Sequence, residues 1–425
     1  GGKITYMGVC SDVKAADTVD LSGKYILPGC IDSHLHFQDP GFTEREDFEH
    51  GTAACAAGGV TTGISMPMND PPVVDLQSYE FTKKSYAGRS FIDYALHAGA
   101  TADNGEQLEA LWTKTGAAAV KMFMCFSVAD FPYVDDAAFW NACCTLAKVG
   151  GVIMVHAEND AILKATERKL KSAGRIDGLA HIQCHSILAE NEAIERALFF
   201  IERSGVRAVI CHVSNAQALR MIHEAQLRGV DVFAESAPHM FAFEENDISA
   251  KGPYLKFSPV MHDKTNQEAM WDLIGRGYVQ TIGSDHSPYT LQEKIPGEEN
   301  IWNAPNGIPG VETSLAVFLD GVNKGKLSLE RVVEMTSCNP AKIYGLYPRK
   351  GALEIGADAD IIAIDMDRVH TYTAGDIKSK CKWSPYVDMS FKGWPVMTAV
   401  RGEIIYSDGK IVGKAGYGQY VERKK

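Results

Sequence analysis

The chain has 425 residues, 45% of them hydrophobic and 23% charged, with 42 Lys and Arg against 54 Asp and Glu. That is enough apolar surface for a sizeable core, which excludes disorder as the main character of the chain. A net charge of −12 argues against a nucleic-acid groove or an anionic membrane patch, which both need clustered cations.

No apolar run approaches the ~18 residues of a membrane span. The opening Gly1-Gly2-Lys3-Ile4-Thr5-Tyr6 has no signal-peptide pattern. It lacks an initiator Met and opens mid-pattern, so residues are expected upstream. The ten cysteines form no Cys-x-x-Cys pair, and several lie in apolar runs such as Val209-Ile210-Cys211. They predict reduced core thiols in a cytoplasmic protein.

Residues 1–8 alternate and predict a strand; Lys24-Tyr25-Ile26-Leu27 predicts another, running into Pro28-Gly29. Eight short, β-branched runs then alternate with helical stretches: 30–34, 60–64, 91–96, 118–122, 151–155, 208–211, 230–233 and 278–282. This repetition predicts a (β/α)8 TIM barrel. The rival, a doubly wound open sheet, usually carries a Gly-rich loop after its first strand, and none is present. Further strands are expected at 360–364, 396–400 and 403–406. The expected division is a barrel over 28–348 and a small β-sandwich built from 1–27 and 349–425.

In such barrels the chemistry sits at the C-terminal ends of the strands. There the runs place His34-Leu35-His36 (first), Lys121 (fourth), His156 (fifth), His212 (sixth) and Asp285 (eighth). Singly, each has a bland reading. A histidine closing a buried strand satisfies itself in the core, a strand lysine snorkels, and an aspartate after a strand caps a helix. Together they are costly to bury unpaired, so their convergence points to function.

Alternation puts His34 and His36 on one side, able to share a divalent ion. Imidazole and carboxylate without thiolate suit zinc first, with manganese, cobalt or iron as alternatives. A buried amine near cations loses its proton readily and can add CO2 to form a carbamate that bridges two metals. Two metals sharing a hydroxide supply a nucleophile and polarise a carbonyl, and an Asp beside it can carry a proton to a leaving nitrogen. The expected chemistry is hydrolysis of an amide-like bond.

Ordered motifs extend this reading over nearly the whole chain. They are Leu27-Pro28-Gly29-Cys30-Ile31-Asp32-Ser33-His34-Leu35-His36, Ala56-Ala57-Gly58-Gly59-Val60-Thr61-Thr62, Met66-Pro67-Met68-Asn69, Val155-His156-Ala157-Glu158-Asn159 and Gly283-Ser284-Asp285-His286. Asn339-Pro340-Ala341, Gly356-Ala357-Asp358-Ala359-Asp360 and Val400-Arg401-Gly402 follow. These resemble the cyclic-amidohydrolase branch of the amidohydrolase superfamily: hydantoinases, dihydropyrimidinases, allantoinases and dihydroorotases.

The resemblance implies a first metal on His34, His36, carboxylated Lys121 and Asp285. It implies a second on Lys121, His156 and His212, with Asp285 as general base and acid. It also implies the barrel with a terminal β-sandwich and a homo-oligomer, tetramer or dimer.

The substrate reading rests on departures within that resemblance. Dihydroorotases place an Arg two residues after the second His and a His four residues after the Asp, where this chain has Gln38 and Tyr289. A carboxylate substrate then loses its charge-assisted contacts. D-hydantoinases and dihydropyrimidinases carry a Tyr five residues after the Lys, where this chain has Phe126.

Gly252–Pro259 and Ala304-Pro305-Asn306-Gly307 look like hydantoinase segments whose backbone, at Ser258 and Asn306, holds the ureide. Asn69 is a further implied contact. The later segments 190–197, 321–330 and 416–420 resemble L-hydantoinase, while 39–44 and 66–69 look more like allantoinase or dihydroorotase. The implied substrate is a five-membered cyclic ureide.

Two rivals are weaker. A catalytically silent scaffold predicts gaps in the ligand set, and none is seen. A mononuclear deaminase does not need Lys121, and a phosphotriesterase does not explain the Ser258 and Asn306 segments. His181, His185 and His223 are expected on surface or interhelix positions. His239 is left between pocket wall and core, His286 is expected to pack behind Asp285, and Cys125 reads as pocket wall.

Overall fold

The computed structural model describes residues 1–9, 15–127 and 131–424; the expectation for Cys10 lies outside the described residues. Strand β1 (Tyr25–Pro28) runs almost directly into β2 (Cys30–Leu35), which pairs in parallel with β3 (Val60–Ser65), itself parallel to β4 (Asp93–Leu96). A second parallel sheet holds β5 (Ala98–Gly99), β6 (Val120–Phe123), β7 (Val152–His156), β8 (Arg207–Ile210), β9 (Val232–Ser236) and β10 (Thr281–Ile282) in that spatial order.

The two sheets close into a ring. Between β4 and β5 stands only His97, and Ala118 and Ala98 continue the ladder through Leu96 O and Ala119 O, both at 2.9 Å. On the other side Leu35 bridges His286 in parallel, and His36 N donates to His286 O at 2.9 Å. With β4 and β5 as one interrupted strand, the ring has the eight positions expected from the sequence. β2, β3, β4, β6 and β7 are buried along their whole length. That is the condition of a parallel strand covered on both faces, and it explains why these runs have no exposed alternate face, polar members such as Asp32, Thr62 and Lys121 being buried with the rest.

Helix caps fix the strand ends that matter. His156 and His212 are each followed three residues later by an Asn, and both asparagines are N-caps. Asn159 accepts from Ile162 N at 3.1 Å to start helix 160–172, and Asn215 accepts from Ala218 N at 2.9 Å to start helix 216–227. A cap side chain satisfying an otherwise orphaned amide pins the strand-to-helix turn. It thereby pins the histidine three residues before it.

The chain ends build an antiparallel sheet in the order β1, β11 (Ile361–Thr371), β12 (Ser390–Val400), β13 (Glu403–Ser407), β14 (Lys410–Ile411). The molecule is thus a TIM barrel with a small terminal β-domain. The fully buried Lys350 ties the two together: its amine lies 2.5 Å from Asp93 on β4, 2.7 Å from Asp360 and 2.9 Å from Asp358.

One expectation is corrected. Residues 1–8 do not form a strand; Lys3 makes a single bridge to Asp358, and Ile4 N reaches Ala357 O. Gly2 and Gly8 both have positive φ, 84° and 151°, and turn the backbone out of the extended run that the alternation suggested.

Candidate metal centre

The polar strand ends meet at one mouth of the barrel. His34, on β2, points Nε2 at Asp285 Oδ1, 3.3 Å away, and His36 Nε2 reaches the same oxygen at 3.2 Å. Across the mouth, His156 Nδ1 lies 3.0 Å from His212 Nε2. An inner cavity of about 30 Å3 is lined by His34, His36, His156, His212, Asp285 and, on the loop side, Ser258 and Asn306. It shares Ser127 and Asn306 with an outer cavity of about 330 Å3 that Phe126, Tyr289, His185 and Trp302 help to line.

Two backbone conformations set this geometry. His212 and Asp285 sit at φ 37° and 49°, in the left-handed region that non-glycine residues avoid. Each such residue costs ~1–3 kcal/mol and persists only where the surroundings over-determine it. His212 stands two residues past β8 and Asp285 three past β10, and both turn their side chains toward the mouth.

Burial decides the protonation states. It pushes His34, His156 and His212 below the usual imidazole range, which leaves neutral rings with lone pairs. For Asp285 burial acts upward, but the imidazoles around it, His36 with a hydrogen bond at 3.2 Å, outweigh it and hold the carboxyl well below its ordinary value. Lys121, on β6, is buried and its amine makes no hydrogen bond; Nδ1 of His212 is likewise unpartnered. A buried donor left without a partner costs ~1–3 kcal/mol, so an orphaned amine among imidazoles and a carboxylate is a place for a missing group. The donor atoms are all nitrogen and oxygen, so the residues present fit divalent ions of the zinc and manganese kind.

Other predicted residues fall in different places. Ser258 and Asn306 line the inner cavity, with Asn306 Nδ2 donating to Ser258 Oγ at 3.3 Å. Phe126 is largely exposed at the rim of the outer cavity, and Tyr289 lines the same cavity under Arg45, whose guanidinium is 4.6 Å from its ring. Among the described residues lining these two cavities, neither Gln38 nor Asn69 occurs. Gln38 is buried at φ 59°, and Asn69 Nδ2 donates to Tyr86 OH at 3.4 Å. His286 turns away from the mouth as expected, toward Glu46 at 3.4 Å. His239 is buried against Phe257 with both ring nitrogens unpartnered, and it lines neither cavity.

The expectations for His181 and His185 are corrected. His181 is buried and donates to Phe257 O at 2.8 Å, and His185 caps helix 178–184 with Nδ1 2.7 Å from Glu158. Glu158 and Glu235, which touch His156 and His34, stand outside the residues expected from the sequence. Glu158 follows His156 by two residues, and that spacing was the only signal available. Burial raises Glu235 to about 7, whereas for Glu158 the neighbouring His185 and His156 overcome burial and lower it.

A barrel with four histidines, a lysine and an aspartate converging on its C-terminal mouth defines the class of metal-site barrel hydrolases. A family model described as the amidohydrolase family matches residues 25–405, and the chain belongs to that family. The L-hydantoinase of Paenarthrobacter aurescens is 38% identical over 97% of this chain and 91% of its own length. An allantoinase of Deinococcus radiodurans is 33% identical over 97% of this chain and 92% of its own. The solved structure of an L-hydantoinase (dihydropyrimidinase) from Arthrobacter aurescens is similar at TM-score 0.97 and 37% identity, covering 99% of this chain and 94% of that one.

Proposed function

We propose that this chain is a hydrolase of cyclic amides that opens a ring amide of a five-membered cyclic ureide, as hydantoinases and allantoinases do. The observation that carries this is the buried, unpartnered amine of Lys121, close enough for its charge to act on His34, His156 and His212 at the mouth that His36 and Asp285 also line. In this reading Lys121 carries a CO2-derived carbamate. His34, His36 and Asp285 hold one divalent ion with it, and His156 and His212 hold the other, zinc being the first choice. When bound, the two ions supply an activated water and a Lewis acid for the ring carbonyl.

The remaining chemistry belongs to the chain. Asp285, held ionised with the help of the hydrogen bond from His36, accepts a proton from the attacking water. As the water oxygen bonds to the carbonyl carbon and the C–N bond breaks, Asp285 returns that proton to the leaving ring nitrogen. Ser258 and Asn306 at the cavity wall hold the ureide, and the outer cavity takes the ring substituent against Phe126 and Tyr289. Gln38 and Asn69 act from outside the cavities by supporting the loops around them.

The nine described cysteines are all free, which supports a cytoplasmic protein, and exposed Leu188 and Phe199 on helix 187–204 support a homo-oligomer, tetramer or dimer. Among the described residues, no helix is long and apolar enough to cross a membrane.

The test is ring opening of allantoin, hydantoin, both enantiomers of a 5-substituted hydantoin, dihydrouracil and dihydroorotate, with zinc or manganese and bicarbonate present. Turnover of a five-membered ureide, absent in Asp285→Asn, supports the reading. Preference for dihydrouracil or dihydroorotate replaces it with the dihydropyrimidinase or dihydroorotase alternative, and silence on every ureide removes the substrate class.

A further inference from the structure

We propose that each half of the metal centre has its own buried glutamate acting as a positioning residue: Glu158 for the half formed by His156 and His212, Glu235 for the half formed by His34, His36 and Asp285. The inference rests on the two-ion reading above and adds which side chains set the ligands. A histidine binds a metal through one ring nitrogen, and the hydrogen bond made by the other nitrogen decides which one is free.

For His156 the committed nitrogen is Nε2, 2.9 Å from Glu158 Oε2 with both side chains about 1% exposed. The carboxylate can only accept, so the proton sits on Nε2. Nδ1 is left with its lone pair, facing His212. For His34 the assignment is the opposite: Nδ1 is 2.6 Å from Glu235 Oε1, and with that carboxyl ionised Nε2 is left free and facing Asp285. One cluster therefore offers a histidine through Nδ1 and the other through Nε2, and a glutamate selects each.

Both glutamates are themselves held. The second oxygen of Glu158 accepts from His185 Nδ1 at 2.7 Å, and that of Glu235 accepts from Ser33 Oγ at 3.0 Å. Glu158 comes from the same strand end as the ring it orients. Glu235 lies on β9 and reaches across the barrel to β2. A Cβ at Gly283 would lie 3.0 Å from Glu235 Oε2 and 2.5 Å from His34 Cβ, so the glycine makes room for the pair. His185 also lines the outer cavity, which makes it the solvent-side anchor of Glu158.

The pairing predicts selective loss, which a merely structural glutamate would not cause. Metal is counted by mass spectrometry after equilibration in zinc buffers of graded free concentration, with melting temperature recorded for every variant. The parent chain is expected to bind two ions. Glu158→Gln, nearly isosteric, and Glu158→Ala keep one at parental affinity and hold the other about 10- to 100-fold more weakly, with Glu158→Asp recovering part of the loss. His185→Asn weakens the same ion to a smaller extent.

In combination, Glu158→Ala with His212→Asn loses no more than the one ion, whereas Glu158→Ala with His36→Asn loses both. Two ions bound with parental affinity in folded Glu158→Gln and Glu158→Ala overturn the proposal, as does equal weakening of both ions. A parent chain that takes up no ion at all overturns the two-ion reading itself and this inference with it, and is told apart because it needs no variant.

Discussion

Nδ1 of His156 lies 3.0 Å from Nε2 of His212, and both rings are buried. With the other nitrogen of His156 committed to Glu158, the lone pair of Nδ1 faces its neighbour and a single proton lies between the two rings. An ion taking both nitrogens needs His212 in its other tautomer, with the proton moved to its unpartnered Nδ1. The orphaned amine of Lys121 belongs to the same mouth.

Lys121→Ala removes that amine without adding bulk. Ring-opening activity should fall below about one per cent of the parent, and bound metal should fall with it, while the chain stays folded with a lowered melting temperature, because a buried side chain and the ions it helps hold are lost. Activity assays and metal analysis on one preparation check both halves.

Gly283→Ala tests the packing behind the ligands. The new Cβ would stand 2.5 Å from His34 Cβ and 2.9 Å from Glu235 Cδ, closer than carbon atoms approach, so the pair must separate. The expected cost is ~1–3 kcal/mol of stability, together with weaker metal binding, although no ionisable group has changed. Denaturant unfolding and a zinc titration measure the two effects.

Glu190 gives a pH signature at the turn that follows His212. It is buried, accepts from Ser214 N at 2.9 Å and from Asn215 Nδ2 at 2.7 Å, and burial still raises it from 4.5 to about 7. Between those values the folded chain keeps a proton that the unfolded chain has lost, so stability falls as pH rises from about 4.5 to 7. The share is about 3 kcal/mol at most, at 1.36 kcal/mol per pKa unit. In Glu190→Gln this share of the slope disappears. Urea unfolding at pH 5 and pH 7.5 should therefore show a smaller difference in the variant than in the parent.

Much of the barrel was legible because burial on both faces leaves uninterrupted β-branched runs, and its mouth was legible because polar residues interrupt them at their ends. His34, Lys121, His156, His212 and Asp285 stand out against apolar neighbours for that reason. Glu235 does not: inside Val232-Phe233-Ala234-Glu235-Ser236 it reads as the polar half of an alternating strand, and only the closed ring turns it toward His34. The role of His185 is not legible in the sequence because its partner, Glu158, lies 27 residues away and no spacing rule connects them. The Lys350–Asp93 pair, 257 residues apart, was invisible for the same reason. Alternation tells which face a residue takes, and the partner on that face is a property of the fold.

The most direct test compares ring opening of a five-membered cyclic ureide by chain stripped of metal with a chelator and by the same preparation reconstituted with zinc and bicarbonate. The account predicts no turnover in the stripped chain and recovery that levels off at two ions per chain. Full activity in the stripped chain would contradict it.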